Sequence, residues 1–245
     1  MAINANQPHD EWLKMMEAQS RVKQMSFIAG ISSKLRRPMV TEAPSHPYRG
    51  APDFWNAYEW TEEQRVERFT ENFRNNGGHV ERLSSMEEAK SFIADKAKAL
   101  GARFVVRQNE AELAELDLES ELPDAKISVW NTDEDQVWMA RSAEADIGVV
   151  MADAAAAYTS SIMVRSSAGK GRSVSLLPTV LVVVIPLERL KTRLGEILNR
   201  FDEEGRESLP AGIHFISGPS RSSDIENDLT IGVHGPGVVY ALIVG

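Results

Sequence analysis

Val180-Leu181-Val182-Val183-Val184-Ile185, closed by Pro186, is the stretch that decides the fold class. A β-branched run with no polar alternation is buried on both faces, and such strands belong to the interior of a mainly parallel sheet. Working outward, helices and strands are expected to alternate from Thr61 onward. Thr61 with Glu62, Glu63 and Gln64 reads as a capped helix start, running to about Asn75. Asn76-Gly77-Gly78 closes it before a strand at 79–83, and Ser84/Ser85 with Glu87 and Glu88 caps a second helix ending at Gly101. Strands are expected at 103–106, 125–130, 147–151, 161–164, 213–217 and 238–244. Helices are expected at 109–116, 133–143 and 187–201, with one alanine-rich helical turn at 153–157. The fold class is therefore α/β, an open doubly wound sheet with helices on both faces.

The first sixty residues read differently. Residues 9–34 have the spacing of an amphipathic helix interrupted at Gly30 and ended by Arg36-Arg37-Pro38. Residues 38–60 then carry four prolines among Tyr48, Phe54, Trp55, Tyr58 and Trp60. A segment this aromatic is either an arm packed on its own chain or one that docks on a partner, its rings acting as anchors. The expected division is an N-terminal helix and arm at 1–60 and an α/β domain at 61–245.

Composition narrows the function classes. The chain has 245 residues and no cysteine, which excludes thiolate nucleophiles, thiolate zinc sites and clusters held by its own sulfurs. At this length about 70% of the unfolded surface is buried without disulfides. A net charge of −9 with no long basic stripe argues against nucleic-acid binding. No apolar run approaches the roughly 20 residues of a membrane span. The N-terminus lacks a charged segment followed by an apolar one, so cytoplasm is the expected compartment.

Three stretches carry polar groups suited to chemistry, each expected at the carboxyl end of a strand. In 214–226, Ser217-Gly218-Pro219 is followed by Ser220, Arg221, Ser222, Ser223, Asp224 and Glu226. Gly218 permits a backbone shape that a Cβ obstructs, and Arg221 offers a fork for a carboxylate or phosphate. The plain alternative is a capping loop in which Arg221 pairs with Asp224 or Glu226. In 232–237, His234 stands between Gly232, Gly235 and Gly237, free to titrate near neutrality or merely seated in a tight turn. In 166–173, Lys170 and Arg172 sit among glycines and could cradle an anion. The spacing there is not that of a phosphate-binding P-loop, no dinucleotide fingerprint follows an early strand, and the histidines give no metal-ligand spacing. No catalytic role can be assigned from spacing. Together the three stretches suit a small-molecule enzyme or sensor whose ligand is a small anion (phosphorylated, nucleotide or carboxylate), held by Arg221, Lys170 and Arg172.

These residues carry a family resemblance. Ile216-Ser217-Gly218-Pro219-Ser220-Arg221-Ser222-Ser223-Asp224-Ile225-Glu226, followed by Gly232-Val233-His234-Gly235-Pro236-Gly237, resembles the C-terminal signature of the lactate utilization protein C family, within the LUD-domain group. Ala145-Asp146-Ile147-Gly148-Val149, the alanines at 154–157 and Ser175-Leu176-Leu177-Pro178 follow the same order. The resemblance covers about residues 31–245. It implies a fold like that of the NagB/ribose-phosphate isomerase/CoA-transferase group. It also implies a part in oxidising L-lactate to pyruvate beside two partners, A- and B-type iron–sulfur proteins, with no cofactor on this chain. One departure stands out. Where the family commonly has Glu-Thr-Gly, this chain has Tyr158-Thr159-Ser160.

Overall fold

The computed structural model describes residues 7–40, 59–223 and 229–245. The chain divides into two units, Met1–Ala57 and Tyr58–Gly245. In the first, α1 (Gln7–Leu35) runs unbroken through Gly30 and ends where Arg36 turns left-handed at φ 52°. Its apolar side chains do not gather on one face as expected. Trp12, Met15, Val22, Phe27 and Leu35 are all exposed. Most of the proline- and aromatic-rich arm falls at 41–58, outside the described residues.

The second unit begins with α2 (Glu62–Asn75), whose start is fixed as the sequence indicates. Thr61 Oγ1 accepts from Gln64 N at 3.4 Å, and Thr61 N donates to Gln64 Oε1 at 3.0 Å. There follow β1 (His79–Leu83), α3 (Met86–Leu100), β2 (Phe104–Arg107), α4 (Ala111–Ala114), α5 (Leu118–Glu121), β3 (Lys126–Val129), α6 (Trp138–Ala143) and β4 (Ile147–Met151). Next come β5 (Ala154–Ala156), β6 (Ser161–Arg165), α7 (Arg172–Leu176), β7 (Val180–Pro186), β8 (Leu190–Lys191) and α8 (Leu194–Glu204). The chain closes with β9 (Ile213–Ile216), β10 (Arg221–Ser223), β11 (Leu229–Ile231) and β12 (Val238–Val244).

The main sheet has the order β1-β12-β7-β4-β2-β3, every neighbour parallel. The valine run is β7, flanked on both sides, and its alternation feeds two cores. Leu181, Val183 and Ile185 join Phe69 and Phe73 of α2 and Val174 of α7. Val180, Val182 and Val184 join Ile93 of α3, Leu113 of α4 and Leu118 of α5. Helices thus cover both faces, the arrangement that lets a strand be apolar throughout. Gly148 in β4 lets α7 lie close, because a Cβ there would stand 2.3 Å from the Val174 carbonyl oxygen.

Three expected elements take another form. The alanine stretch is a strand, not a helical turn. Ala155 faces the main core while Ala154 and Ala156 face Ile197 of α8, and only small side chains fit both sides at once. Residues 187–201 are not one helix. Leu187–Arg189 is a 3₁₀ turn, β8 pairs with β5, and the helix starts only at Leu194. The strand at 213–217 is absent from the main sheet. As β9 it pairs antiparallel with β6, completing a second sheet of order β8-β5-β6-β9.

Candidate functional site

Strand direction separates the sequence candidates onto two rims. The 217–221 stretch leaves the carboxyl end of its own strand, β9, as expected, but in the main sheet it and 232–237 lie at the amino ends of β1, β12 and β7. The reason is topological: 232–237 precedes β12, and β9 leaves its antiparallel sheet toward the start of β1. The two glycine–proline bends lie side by side there. Ser220 N donates to Pro236 O at 2.9 Å, Gly232 N donates to Ser220 O at 3.0 Å, and β10 pairs with β11. Gly235 eases the crossing, since a Cβ on it would stand a tight 3.2 Å from Ser220 Cβ, while Gly237 N donates to Thr179 O at 3.0 Å.

A shallow cleft of about 240 Å³ opens beside the first bend, walled by Asn76, Ser217, Gly218, Pro219 and Arg221. Gly218 has φ 128°, and a Cβ there would lie 2.9 Å from the Asn76 carbonyl oxygen. The Arg221 guanidinium donates to that same carbonyl at the end of α2. Behind the wall, Ser217 and Ser161 hydroxyls meet at 2.9 Å, and Asn76 Nδ2 donates to Ser160 Oγ at 3.2 Å. Ser160 is fully buried and left-handed at φ 47°. His234 is exposed and lies outside the cleft wall. Asp224 and Glu226 fall outside the described residues, so their expected pairing with Arg221 does too.

The carboxyl rim holds what the sequence reading missed. The chain leaves β2 toward β3 on one side and leaves β4 toward β7 on the other, so the crevice between β2 and β4 is a topological switch point, where open α/β sheets bind ligands. Lys170 reaches into it. Its Nζ lies 2.8 Å from Asp153 Oδ1, just past β4, and 2.9 Å from Glu110 Oε1, just past β2. The turn bearing Lys170 is seated by Asn109 N donating to Gly169 O at 2.8 Å, and by Gly171 against the Trp130 ring. Burial pushes the Glu110 carboxyl above its usual range, against the lowering pull of Lys170. Its second oxygen and Ser166 Oγ are buried without a protein partner. Arg172 opens α7 beside His214, whose Nδ1 lies 3.2 Å from Ser175 Oγ; burial first, then Arg172, holds that imidazole below its usual range. Lys170 and Arg172 therefore share a rim with each other and not with Arg221. Acidic residues two or three places beyond a strand end were the available signal for Asp153 and Glu110.

A profile of the LUD domain matches residues 66–244. The protein named lactate utilization protein C of Halalkalibacterium halodurans is 32% identical over 86% of this chain and 93% of its own length. That of Shouchella clausii is 31% identical over 86% and 93%. The chain belongs to the lactate utilization protein C family. The LUD domain thus spans the second unit from within α2 to the end of β12. A crystal structure of a DUF162 family protein from Deinococcus radiodurans matches with a TM-score of 0.54 and 21% identity, over 76% of this chain and 99% of that one, and shares the fold. Both rims fall within the LUD domain. Among its described residues no group of three or more histidine and carboxylate side chains is arranged to hold a metal ion, and no helix is long and apolar enough to cross a membrane.

Proposed function

We propose that this chain is a cytoplasmic subunit of a lactate-utilization system, supporting the oxidation of L-lactate to pyruvate with A- and B-type iron–sulfur partner proteins. The likeness to proteins named lactate utilization protein C, sustained over 93% of the length of the Halalkalibacterium halodurans relative, carries this reading. Converting lactate to pyruvate releases two electrons and two protons. Iron–sulfur clusters are held mainly by cysteine thiolates, and these 245 residues contain none. The electrons accordingly pass to clusters on the partners, while this chain contributes polar sites on a rigid sheet.

The test is deletion of the gene, with growth measured on L-lactate and on glucose, and affinity purification of the tagged chain from lactate-grown cells. Growth lost on lactate alone, together with co-purifying iron–sulfur proteins, is the expected result. Undiminished growth on lactate overturns the reading.

A further inference from the structure

Along α1, Met15, Ala18, Val22, Met25 and Ala29 follow one another at intervals of three and four residues in turn. That is the spacing of a coiled-coil seam, and all five side chains are exposed, Val22 by 70%. Continued with the same rhythm, the row reaches Glu11 in one direction and Ser32 and then Arg36 in the other. It is thus apolar in its middle, with a carboxylate at one end and a guanidinium at the other. Among the described residues neither Glu11 nor Arg36 has an ion-pair partner. The remaining exposed apolar residues form no comparable row. Between Met16 and Phe27 their side of the helix carries Ser20, Lys23 and Gln24.

We infer that α1 pairs antiparallel with α1 of a second copy of this chain along this row. In antiparallel coiled coils the two kinds of seam position alternate across the interface, and here the match runs from end to end. Val22 lies against the partner's Met25, Ala18 against the partner's Ala29, Met15 against the partner's Ser32, and Glu11 against the partner's Arg36. A two-fold axis repeats each contact, so the surface is complementary to itself. The alanine layer lets the two backbones come close, and the methionines beside it fill the irregular space that remains. Charge fixes the direction. Residues 18–40 carry five cations, Arg21, Lys23, Lys34, Arg36 and Arg37, and no carboxylate. A parallel pair would lay that half against its own copy and set Glu11 against the partner's Glu11. The antiparallel pair separates the cationic halves and brings each Glu11 to an arginine. Since α1 precedes residues 66–244, the pairing lies outside the LUD domain and is independent of the proposed function.

The experiment is sedimentation equilibrium of the full chain over a micromolar concentration series. A mass twice the 27.2 kDa of one chain is expected at the upper end. Val22→Glu should weaken the dimer about tenfold or more, with helix content and melting temperature kept. Glu11→Arg should weaken it as well, and adding Arg36→Glu to the same chain should restore it. Direction is read by cross-linking, because the chain has no cysteine of its own to interfere. Chains with Ala18→Cys, mixed with chains bearing Ala29→Cys and oxidised, should link one kind to the other. Two copies of Ala18→Cys should not link, their cysteines standing roughly 16 Å apart along the helix axis, whereas a disulfide needs Cα atoms within about 7 Å. A monomer at every concentration, a dimer indifferent to Val22→Glu, no recovery in the charge swap, or links within one kind of chain overturns the pairing.

Discussion

Lys170 Nζ stands 2.8 Å from Asp153 Oδ1 across the crevice where the chain leaves β2 and β4 in opposite directions. The same ammonium reaches Glu110 Oε1 at 2.9 Å, so one cation joins the two strand ends. It also compensates two carboxylates that burial would otherwise oppose. Lys170→Met removes that compensation while keeping the side-chain length. Leaving buried charges unpaired costs about 3 kcal/mol. Denaturation in urea at pH 7 should show a loss of that order in Lys170→Met, with the midpoint moved and the slope unchanged. A loss below about 1 kcal/mol would show the pair to be solvated.

Glu110 gives the pH dependence of the same cluster. Burial raises its carboxyl in the native state, so folding takes up a proton there. The associated stability is full below the ordinary carboxylate value and is lost as pH rises through the raised native one. Glu110→Gln keeps the shape and removes this titration. Its stability relative to the parent chain should therefore climb as pH rises from about 4 into the neutral range, followed by melting temperature across a buffer series. A difference that is flat with pH contradicts the raised value.

Gly218 and Gly101 separate two costs of adding a Cβ. Gly101 ends α3 at φ 62° with open space around it, so Gly101→Ala pays only for the left-handed backbone, about 1 kcal/mol. Gly218 at φ 128° adds a Cβ 2.9 Å from the Asn76 carbonyl oxygen. Gly218→Ala should lose more, about 2–3 kcal/mol, because strain and collision act together. Equal losses in chemical denaturation would show that the 217–221 bend moves away from α2 freely.

Much of this fold could be read from the sequence because its signals are local or periodic. Thr61 with Gln64, Ser85 with Glu88, and the valine run each act through neighbours in the chain or through burial on two faces. What escaped reading depends on partners distant in sequence. Ala154–Ala156 has the composition of a helix, and becomes a strand because β6 and β8 flank it and α8 packs on one side. The 213–216 segment is a strand either way, but its hydrogen-bond partner decides which rim the Ser217–Arg221 bend reaches. For the same reason the sequence grouped Lys170 with Arg221, although α7 and the whole height of the sheet separate their rims. Ser160 stands at φ 47°, a backbone that favours glycine, so a glycine at this position would adopt it without strain.

Ser160 also holds a hydroxyl bond that glycine lacks, with Asn76 Nδ2 at 3.2 Å. Ser160→Ala keeps the backbone strain and leaves the Asn76 amide short of a partner, so it should cost about 1–2 kcal/mol. Ser160→Gly loses the same bond but relieves about 1 kcal/mol of left-handed strain. The expected order of stability in urea is parent, Ser160→Gly, then Ser160→Ala. Ser160→Ala at or above Ser160→Gly would show that the backbone relaxes out of the left-handed region.

His214 offers a titration that can be observed directly. Burial is the larger cause of its lowered pKa and the Arg172 guanidinium the smaller. The folded chain therefore keeps the imidazole neutral, and the stability this contributes is present above the ordinary histidine value and lost as pH falls through the lowered native one. Arg172→Met removes the charge while retaining much of the aliphatic stem beside Gly212, so the His214 midpoint should move upward yet stay below the ordinary value, because burial remains. The imidazole carbon-bound protons report this by NMR between pH 4.5 and 8. An unmoved midpoint removes Arg172 as a cause. A midpoint carried above the ordinary value shows that the Arg172 charge outweighs burial at His214, and with it that this guanidinium sets the local potential more strongly than the packing of β6 against β9.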